Sequence, residues 1–200
     1  MMKSKLLKIV VLGDPAVGKS SLINRFVHNT FSARLSYTIG VAFLNKDTVI
    51  SEDHYTMQIW DTAGQERFKS LRTPFYRGAD CCLVTYALDD LQSFKNLSMW
   101  KKEFLYYADI QEGSTFPFVL IGNKVDVDKR CEEDAKSWCA ANGNMPYFET
   151  SAKDSLNVDR AFKAAVQRLL ELEDQIDIRP SRGNTVNLRK KSKTSSGCCA

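Results

Sequence analysis

The chain has 200 residues, 44% of them hydrophobic and 26% charged, which is one domain's length with enough apolar content for a packed core and excludes a wholly disordered chain. No apolar run approaches the ~18–20 residues of a membrane-spanning helix, and Met1-Met2-Lys3-Ser4-Lys5 leads into no signal-peptide core and lacks the glycine that myristoylation needs, so the chain is expected in the cytosol. Residues 179–200 carry six basic and no acidic side chains, leaving 22 basic against 24 acidic in the rest, a near-neutral body whose basic tail suits an anionic surface rather than nucleic acid.

Leu6–Leu12 reads as a buried strand that stops at Gly13. The run Gly13-Asp14-Pro15-Ala16-Val17-Gly18-Lys19-Ser20 fits the phosphate-loop pattern G-x-x-x-x-G-K-[ST] and stands where that pattern acts, between a strand and a helix. The backbone N–H groups of such a loop and the helix N-terminus form a nest for an anion. Lys19 then reaches the outer phosphates, and the Ser20 hydroxyl can ligate Mg²⁺. Leu22, Ile23, Phe26 and Val27 follow at helical spacing. Thr38-Ile39-Gly40 falls in a loop before the next strand. Its threonine reads either as a β-branched lead into that strand or as a hydroxyl that joins Mg²⁺ only when a γ-phosphate is present, ordering the loop.

Val41–Ile50 and His54–Trp60 bracket Ser51-Glu52-Asp53 as a hairpin. Asp61 ends the second of these strands, with Thr62-Ala63-Gly64-Gln65 after it. A carboxylate there is placed to hold the Mg²⁺ shell, Gly64 lets a backbone N–H approach a γ-phosphate, and Gln65 can orient a water. Cys81–Ala87 is an apolar strand; Phe94, Leu97, Lys101 and Phe104-Leu105 mark a mostly amphipathic helix. The strand Phe118–Gly122 runs into Asn123-Lys124-Val125-Asp126. The Asp126 carboxylate accepts from a donor pair such as guanine N1–H and N2–H₂, and facing adenine it would be left unpaired at a cost of ~1–3 kcal/mol or more.

A helix over Glu132–Ala141 precedes the short strand Tyr147–Thr150, and Ser151-Ala152-Lys153 then offers a backbone N–H for guanine O6 and a stem to brace the base. Val158, Ala161-Phe162, Ala165-Val166 and Leu169-Leu170 give a strongly amphipathic helix. From about Gln175 the periodicity stops, so residues 1–174 are expected to be the folded domain and 175–200 a disordered basic tail. Strand–helix alternation predicts an α/β fold in three αβα layers: a mostly parallel sheet with helices on both faces and one antiparallel edge strand from the hairpin. The six cysteines show no zinc spacing, and a disulfide framework is disfavoured in a cytosolic chain of this size. Cys81, Cys82, Cys131 and Cys139 read as buried small apolar residues.

The combined motifs, with Trp60 through Phe68, Phe75-Tyr76-Arg77-Gly78-Ala79-Asp80 and Ile39-Gly40-Val41, resemble those of Ras-superfamily small GTPases of the Rab branch over about residues 5–173 plus the cysteine end. Phe43-Leu44-Asn45-Lys46-Asp47, Ser70-Leu71-Arg72-Thr73-Pro74 and Phe148-Glu149-Thr150 most resemble the Rabs of late-endosome-to-trans-Golgi transport. The resemblance implies a six-stranded sheet with about five helices and a Mg²⁺-dependent GDP/GTP switch regulating vesicle traffic through effectors. It places Gly13, Pro15, Ala16, Val17, Gly18, Lys19, Ser20, Ser21 and Gly64 around the phosphates. Ser20 and Thr38 become Mg²⁺ ligands, Asp61 joins the metal's water shell, and Gln65 faces the attacking water. Asn123, Lys124, Asp126, Ser151, Ala152 and Lys153 form the guanine site, with Phe31 packing on the base. Slow intrinsic hydrolysis and a partner's arginine finger are expected, since Arg34 is the only nearby candidate in the Thr38 loop.

The same resemblance implies an exchange factor, a GTPase-activating protein, a GDP-dissociation inhibitor, a prenylation escort and effectors at the Thr38 and Gln65 loops. The expected state is a monomer on the cytoplasmic face of endomembranes (late endosome or Golgi), cycling with the cytosol. A C-a-a-X box would need cysteine at position 197, which is Gly. Paired Cys198 and Cys199 instead resemble the Rab ends that receive two geranylgeranyl groups, enough for stable anchoring. A 26-residue tail reaches about 30 Å.

Two departures from the Rab pattern stand out. Pro15-Ala16 replaces a Ser/Gly pair, removing one N–H and fixing φ, and Ala42 stands where an acidic residue is usual after Ile-Gly-Val. Pro15 motivates a rival reading, a GTP-binding interaction module with little or no hydrolysis. A P-loop kinase or ATPase leaves the guanine motifs unexplained, and the tail lacks the interleaved aromatics of a nucleic-acid binder.

Overall fold

The strand-sized apolar runs form one six-stranded sheet in the computed structural model, which describes residues 4–33, 38, 41–111, 115–127 and 132–177. The strands are β1 (Lys5–Leu12), β2 (Val41–Ile50), β3 (Asp53–Thr62), β4 (Cys81–Ala87), β5 (Phe118–Asn123) and β6 (Tyr147–Thr150). The helices are α1 (Lys19–His28), the single turn α2 (Lys69–Arg72), α3 (Leu91–Lys95), α4 (Leu97–Ala108), α5 (Glu132–Ala141) and α6 (Val158–Asp177). Strand order is β2-β3-β1-β4-β5-β6, with β2–β3 the antiparallel pair and the other neighbours parallel. The expected α/β architecture with one antiparallel edge is what forms.

The buried side chains of β1 divide between two cores by the period of two. Leu7, Ile9 and Val11 join Leu22, Ile23 and Phe26 of α1 and Ala161, Phe162 and Ala165 of α6. Phe26 and Phe162 stack at 4.4 Å between the two helices. Val10 and Leu12 face the opposite core, with Leu97, Trp100 and Phe104 of α4 and Ala135 and Cys139 of α5. Cys81, Cys82 and Cys139 are buried free thiols, as expected, while Cys131 lies outside the described residues.

Several element limits differ from the sequence expectation, each for a local reason. The hairpin turn is two residues, not three: Ile50 pairs with Asp53, and Ser51 and Glu52 take φ of 50° and 73°, the primed geometry that matches strand twist. β3 continues through Asp61 and Thr62, where the Thr62 hydroxyl donates to the Val11 carbonyl at 2.6 Å. The helix expected across Phe94–Leu105 is broken at Asn96 into α3 and α4; counted as one broken helix, they leave five. α6 runs to Asp177, two residues past the point where its apolar spacing gave out. Among the described residues no helix is long and apolar enough to cross a membrane.

Candidate functional site

Parallel pairing brings the C-terminal ends of β1, β3, β4, β5 and β6 to one edge of the sheet, and strand order reverses on the two sides of β1. Such a switch point opens a crevice. The loop after β1, residues 13–18, crosses it and leads into α1. Gly18 caps that helix at φ 97°, in the left-handed region, and a methyl group there would collide with the Asn123 amide. Asn123 fixes the crossing from the other side: Nδ2 donates to the Val17 carbonyl at 2.8 Å, and Oδ1 accepts from the Thr150 hydroxyl at 3.2 Å and the Ala152 N–H at 3.3 Å. One buried amide thereby ties the loops after β1, β5 and β6.

A cavity of about 540 Å³ lies over these loops. Its walls include Pro15, Ala16, Gly18, Lys19, Ser20, Ser21, Phe31, Thr38, Gly64, Gln65, Asn123, Lys124, Asp126, Ala152 and Lys153, most of the residues singled out from sequence. Gly13, Val17, Asp61 and Ser151 do not line it; they stand behind the wall. The Gly13 carbonyl accepts from Lys19 Nζ at 2.8 Å, and Ser151 Oγ donates to Asp126 Oδ1 at 2.7 Å. Ser32, Ala33 and Val127 line the cavity too and were not anticipated, being small or apolar loop residues without a motif. Ile39, Gly40 and Arg34 lie outside the described residues, as do Cys198 and Cys199.

The phosphate-loop end of the cavity is polar and charged. Lys19 is buried, its amine donating to the Gly13 and Asp14 carbonyls at 2.8 Å each. Burial lowers its pKa to about 8 against the opposing pull of Asp61 and Asp14. Ser20 Oγ donates to Asp61 Oδ2 at 2.6 Å and stands 2.9 Å from the Thr38 hydroxyl. Burial raises the Asp61 pKa, partly offset by the Ser20 hydrogen bond, and its buried Oδ1 has no hydrogen-bond partner. An orphaned carboxylate oxygen beside two hydroxyls is a hard-oxygen set short of ligands, the composition that suits Mg²⁺ completed by phosphate and water oxygens.

Gly64 closes on the phosphate loop so tightly that a methyl group would lie 2.5 Å from Pro15 N. Gln65 lines the cavity, and its side-chain oxygen accepts from Arg67 Nε at 2.6 Å. At the far end Asp126 is held by Ser151, with Lys153 Nζ 3.9 Å from its other oxygen, while Lys124 takes φ 70° and reaches Asp89. Beside the cavity, Phe43, Trp60 and Phe75 form an aromatic strip with centroid spacings of 5.0 and 5.2 Å, and Phe43 is 48% exposed. Ala42 on that strand is exposed opposite Asp61.

Asp14 fills a variable position of the loop pattern, which gives it no role in the motif. Its carboxylate accepts from Trp100 Nε1 at 2.6 Å and Asn96 Nδ2 at 2.7 Å, which fastens the junction of α3 and α4 to the phosphate loop.

The sequence model of the Ras family matches residues 8–171. The chain is 59% identical to Ras-related protein Rab-9A of Homo sapiens over 98% of each chain. It is 57% identical to Ras-related protein Rab-9B of Mus musculus, again over 98% of each. Against Ras-related protein Rab7 of Cenchrus ciliaris the identity is 47% over 97% of each.

Proposed function

The chain belongs to the Ras family and is a Rab GTPase related to Rab9, and from that premise we propose that the cavity is its guanine-nucleotide site, with Mg²⁺ beside the phosphates. A Rab GTPase is a GTP-binding switch in vesicle traffic. The observation that carries the site assignment is the convergence of the loops after β1, β3, β5 and β6, with Thr38, on one cavity. In this reading Lys19 and the main-chain N–H groups of residues 13–18 other than Pro15, which has none, hold the phosphates. Ser20 and Thr38 would ligate Mg²⁺ through their hydroxyls and Asp61 through water; the ion, when bound, supplies positive charge against the phosphate oxygens. Asp126, pinned by Ser151, takes the guanine N1–H and N2–H₂ donors. Ser151-Ala152-Lys153 lies at O6, Phe31 and the Lys153 stem brace the base, and Lys124 completes the guanine site.

Hydrolysis forms one bond from water oxygen to the γ-phosphorus as the bond to the bridging oxygen breaks, giving GDP and inorganic phosphate. Gln65 orients the water, and to do so its side chain must leave Arg67, one contribution to a slow intrinsic rate. A partner's arginine finger adds ~10³–10⁵ in rate in relatives of this class. The rival reading, a binding module that scarcely hydrolyses, is favoured by one arrangement: Pro15 in the cavity wall against Gly64, with Gln65 turned to Arg67. Single-turnover hydrolysis of γ-labelled GTP with Mg²⁺ decides between them. Slow phosphate release that Gln65→Leu abolishes is the expected result, and equally stable GTP in both proteins selects the module. Pro15→Gly speeding partner-stimulated hydrolysis would assign Pro15 to obstruction of the partner.

The proposed organisation is a GTPase domain over residues 1–174 and a basic tail over 175–200, lipidated at Cys198 and Cys199, on a monomer. Exchange factor, GTPase-activating protein, GDP-dissociation inhibitor and prenylation escort are the proposed regulators. Effectors would read the Thr38 and Gln65 loops together with the Phe43-Trp60-Phe75 strip, in which half-buried Trp60 lies between exposed Phe43 and Phe75 and whose aromatic surface has the character of an interface core. The proposed location is the cytoplasmic face of late-endosomal or Golgi membranes, in exchange with the cytosol.

A further inference from the structure

Arg72 ends the one-turn helix α2 on the segment after Gln65, where an arginine ordinarily reaches solvent, yet it is 2% exposed. A buried guanidinium is tolerated only when its donors are met. Nε and Nη2 donate to the Glu103 carboxylate of α4 at 3.1 and 3.3 Å, and the Tyr76 hydroxyl donates to the same carboxylate at 3.1 Å. Nη1 points elsewhere: it donates to the main-chain carbonyl of Gln65 at 2.8 Å, with that of Ala63 at 3.4 Å. The guanidinium also sits 4.5 Å from the centroid of the Trp100 ring, the indole whose N–H donates to Asp14. Anchoring α2 to α4 requires only Glu103. The remaining donor holds the backbone on both sides of Gly64, the residue that abuts the phosphate loop.

We propose that Arg72 is a positioning residue for GTP hydrolysis: it fixes the main chain of Ala63–Gln65 and, through the stacked Trp100, keeps that segment in register with Asp14 of the phosphate loop. The proposal deepens the reading of the cavity as a GTPase site and rests on it. Arg72 touches neither the cavity nor the reacting water. Its effect is therefore on the rate and not on nucleotide affinity, since it sets where Gln65 begins rather than what holds the phosphates.

The test uses the full chain in two variants. Arg72→Lys keeps Glu103 paired, and the fold with it, but one amine does not span to the Gln65 carbonyl as well. Arg72→Met with Glu103→Leu removes both buried charges at similar volume, so no lone charge is left to unfold the protein. Single-turnover hydrolysis should fall by about tenfold or more in each, with GDP dissociation within about twofold of the parent. Amide exchange of residues 64–68, measured with GDP bound, should rise about fivefold or more while β1 and β4 amides stay unchanged. Unchanged hydrolysis and unchanged exchange in both Arg72 variants overturn the proposal, as does GDP dissociation that accelerates in step with the lost rate. If the parent itself releases no phosphate, the GTPase reading fails on that measurement, and exchange at residues 64–68 alone decides for or against Arg72.

Discussion

Burial pushes the Cys139 thiol up to about 11 and holds Cys81 and Cys82 higher still, because an anion in either core would lose its hydration. Unfolded thiols ionise near 9.0, so above that pH the unfolded chain releases protons that the native chain keeps. Stability should be independent of these groups below about pH 9 and fall as pH rises toward 11, by up to about 1.4 kcal/mol per pH unit for each thiol. Urea midpoints at pH 8, 9.5 and 10.5 would show it, and Cys139→Ala should remove its share of the slope. A midpoint unchanged across that range would mean that the native thiols ionise as freely as unfolded ones. Cys81 and Cys82 were legible as buried from the apolar run around them, and Cys139 from its place in a helical stretch of a chain with no zinc or disulfide spacing. Less legible was where the phosphate loop is strained. Proline's missing N–H drew the eye, but the backbone cost falls on Ala16, which takes φ 60°, a left-handed conformation worth roughly 1–2 kcal/mol for a residue with a Cβ.

Helix α3 owes its start to one side chain. Asp90 accepts from the Gln92 N–H at 3.0 Å and the Ser93 N–H at 3.3 Å, and the Ser93 hydroxyl in turn accepts from the Ala87 N–H at 3.0 Å. Asp90→Ala should lower the unfolding free energy by about 1 kcal/mol in a urea melt, while Asp90→Asn retains most of the cap. Apolar spacing marked the helices that cover the sheet and the strands that compose it, because a period of 3.6 or 2 is all that burial on one face requires. It could not mark the break at Asn96. Nor could it mark the bond that Asn96 makes there to Asp14, 82 residues away in sequence, since no local pattern encodes a partner so distant. The same holds for Arg72: its neighbourhood in sequence reads as a basic surface turn, and only the approach of α4 makes it a buried one.

For the whole molecule, the site motifs were legible because each follows a strand, and parallel strands deliver their C-terminal ends to one edge. Residues such as Val17 and Ser151, expected in the cavity, stand behind it, since a motif names the loop but not which of its atoms face inward. The tail adds the proposed second function, attachment. Replacing Cys198 and Cys199 with Ser should move the protein from the membrane to the soluble fraction in cell fractionation, because basic residues alone do not anchor stably; unchanged membrane association would refute lipid anchoring. The cavity has one further consequence, for assembly. Its walls run from Pro15 to Lys153, and apart from the β2–β3 hairpin every strand pairing joins segments far apart in sequence. Such long-range closures are slow in folding, and the cavity needs several of them at once. In the proposed reading, a nucleotide that binds there engages the completed fold and draws the chain toward it by mass action, so the empty protein is expected to be the species more exposed to unfolding and proteolysis.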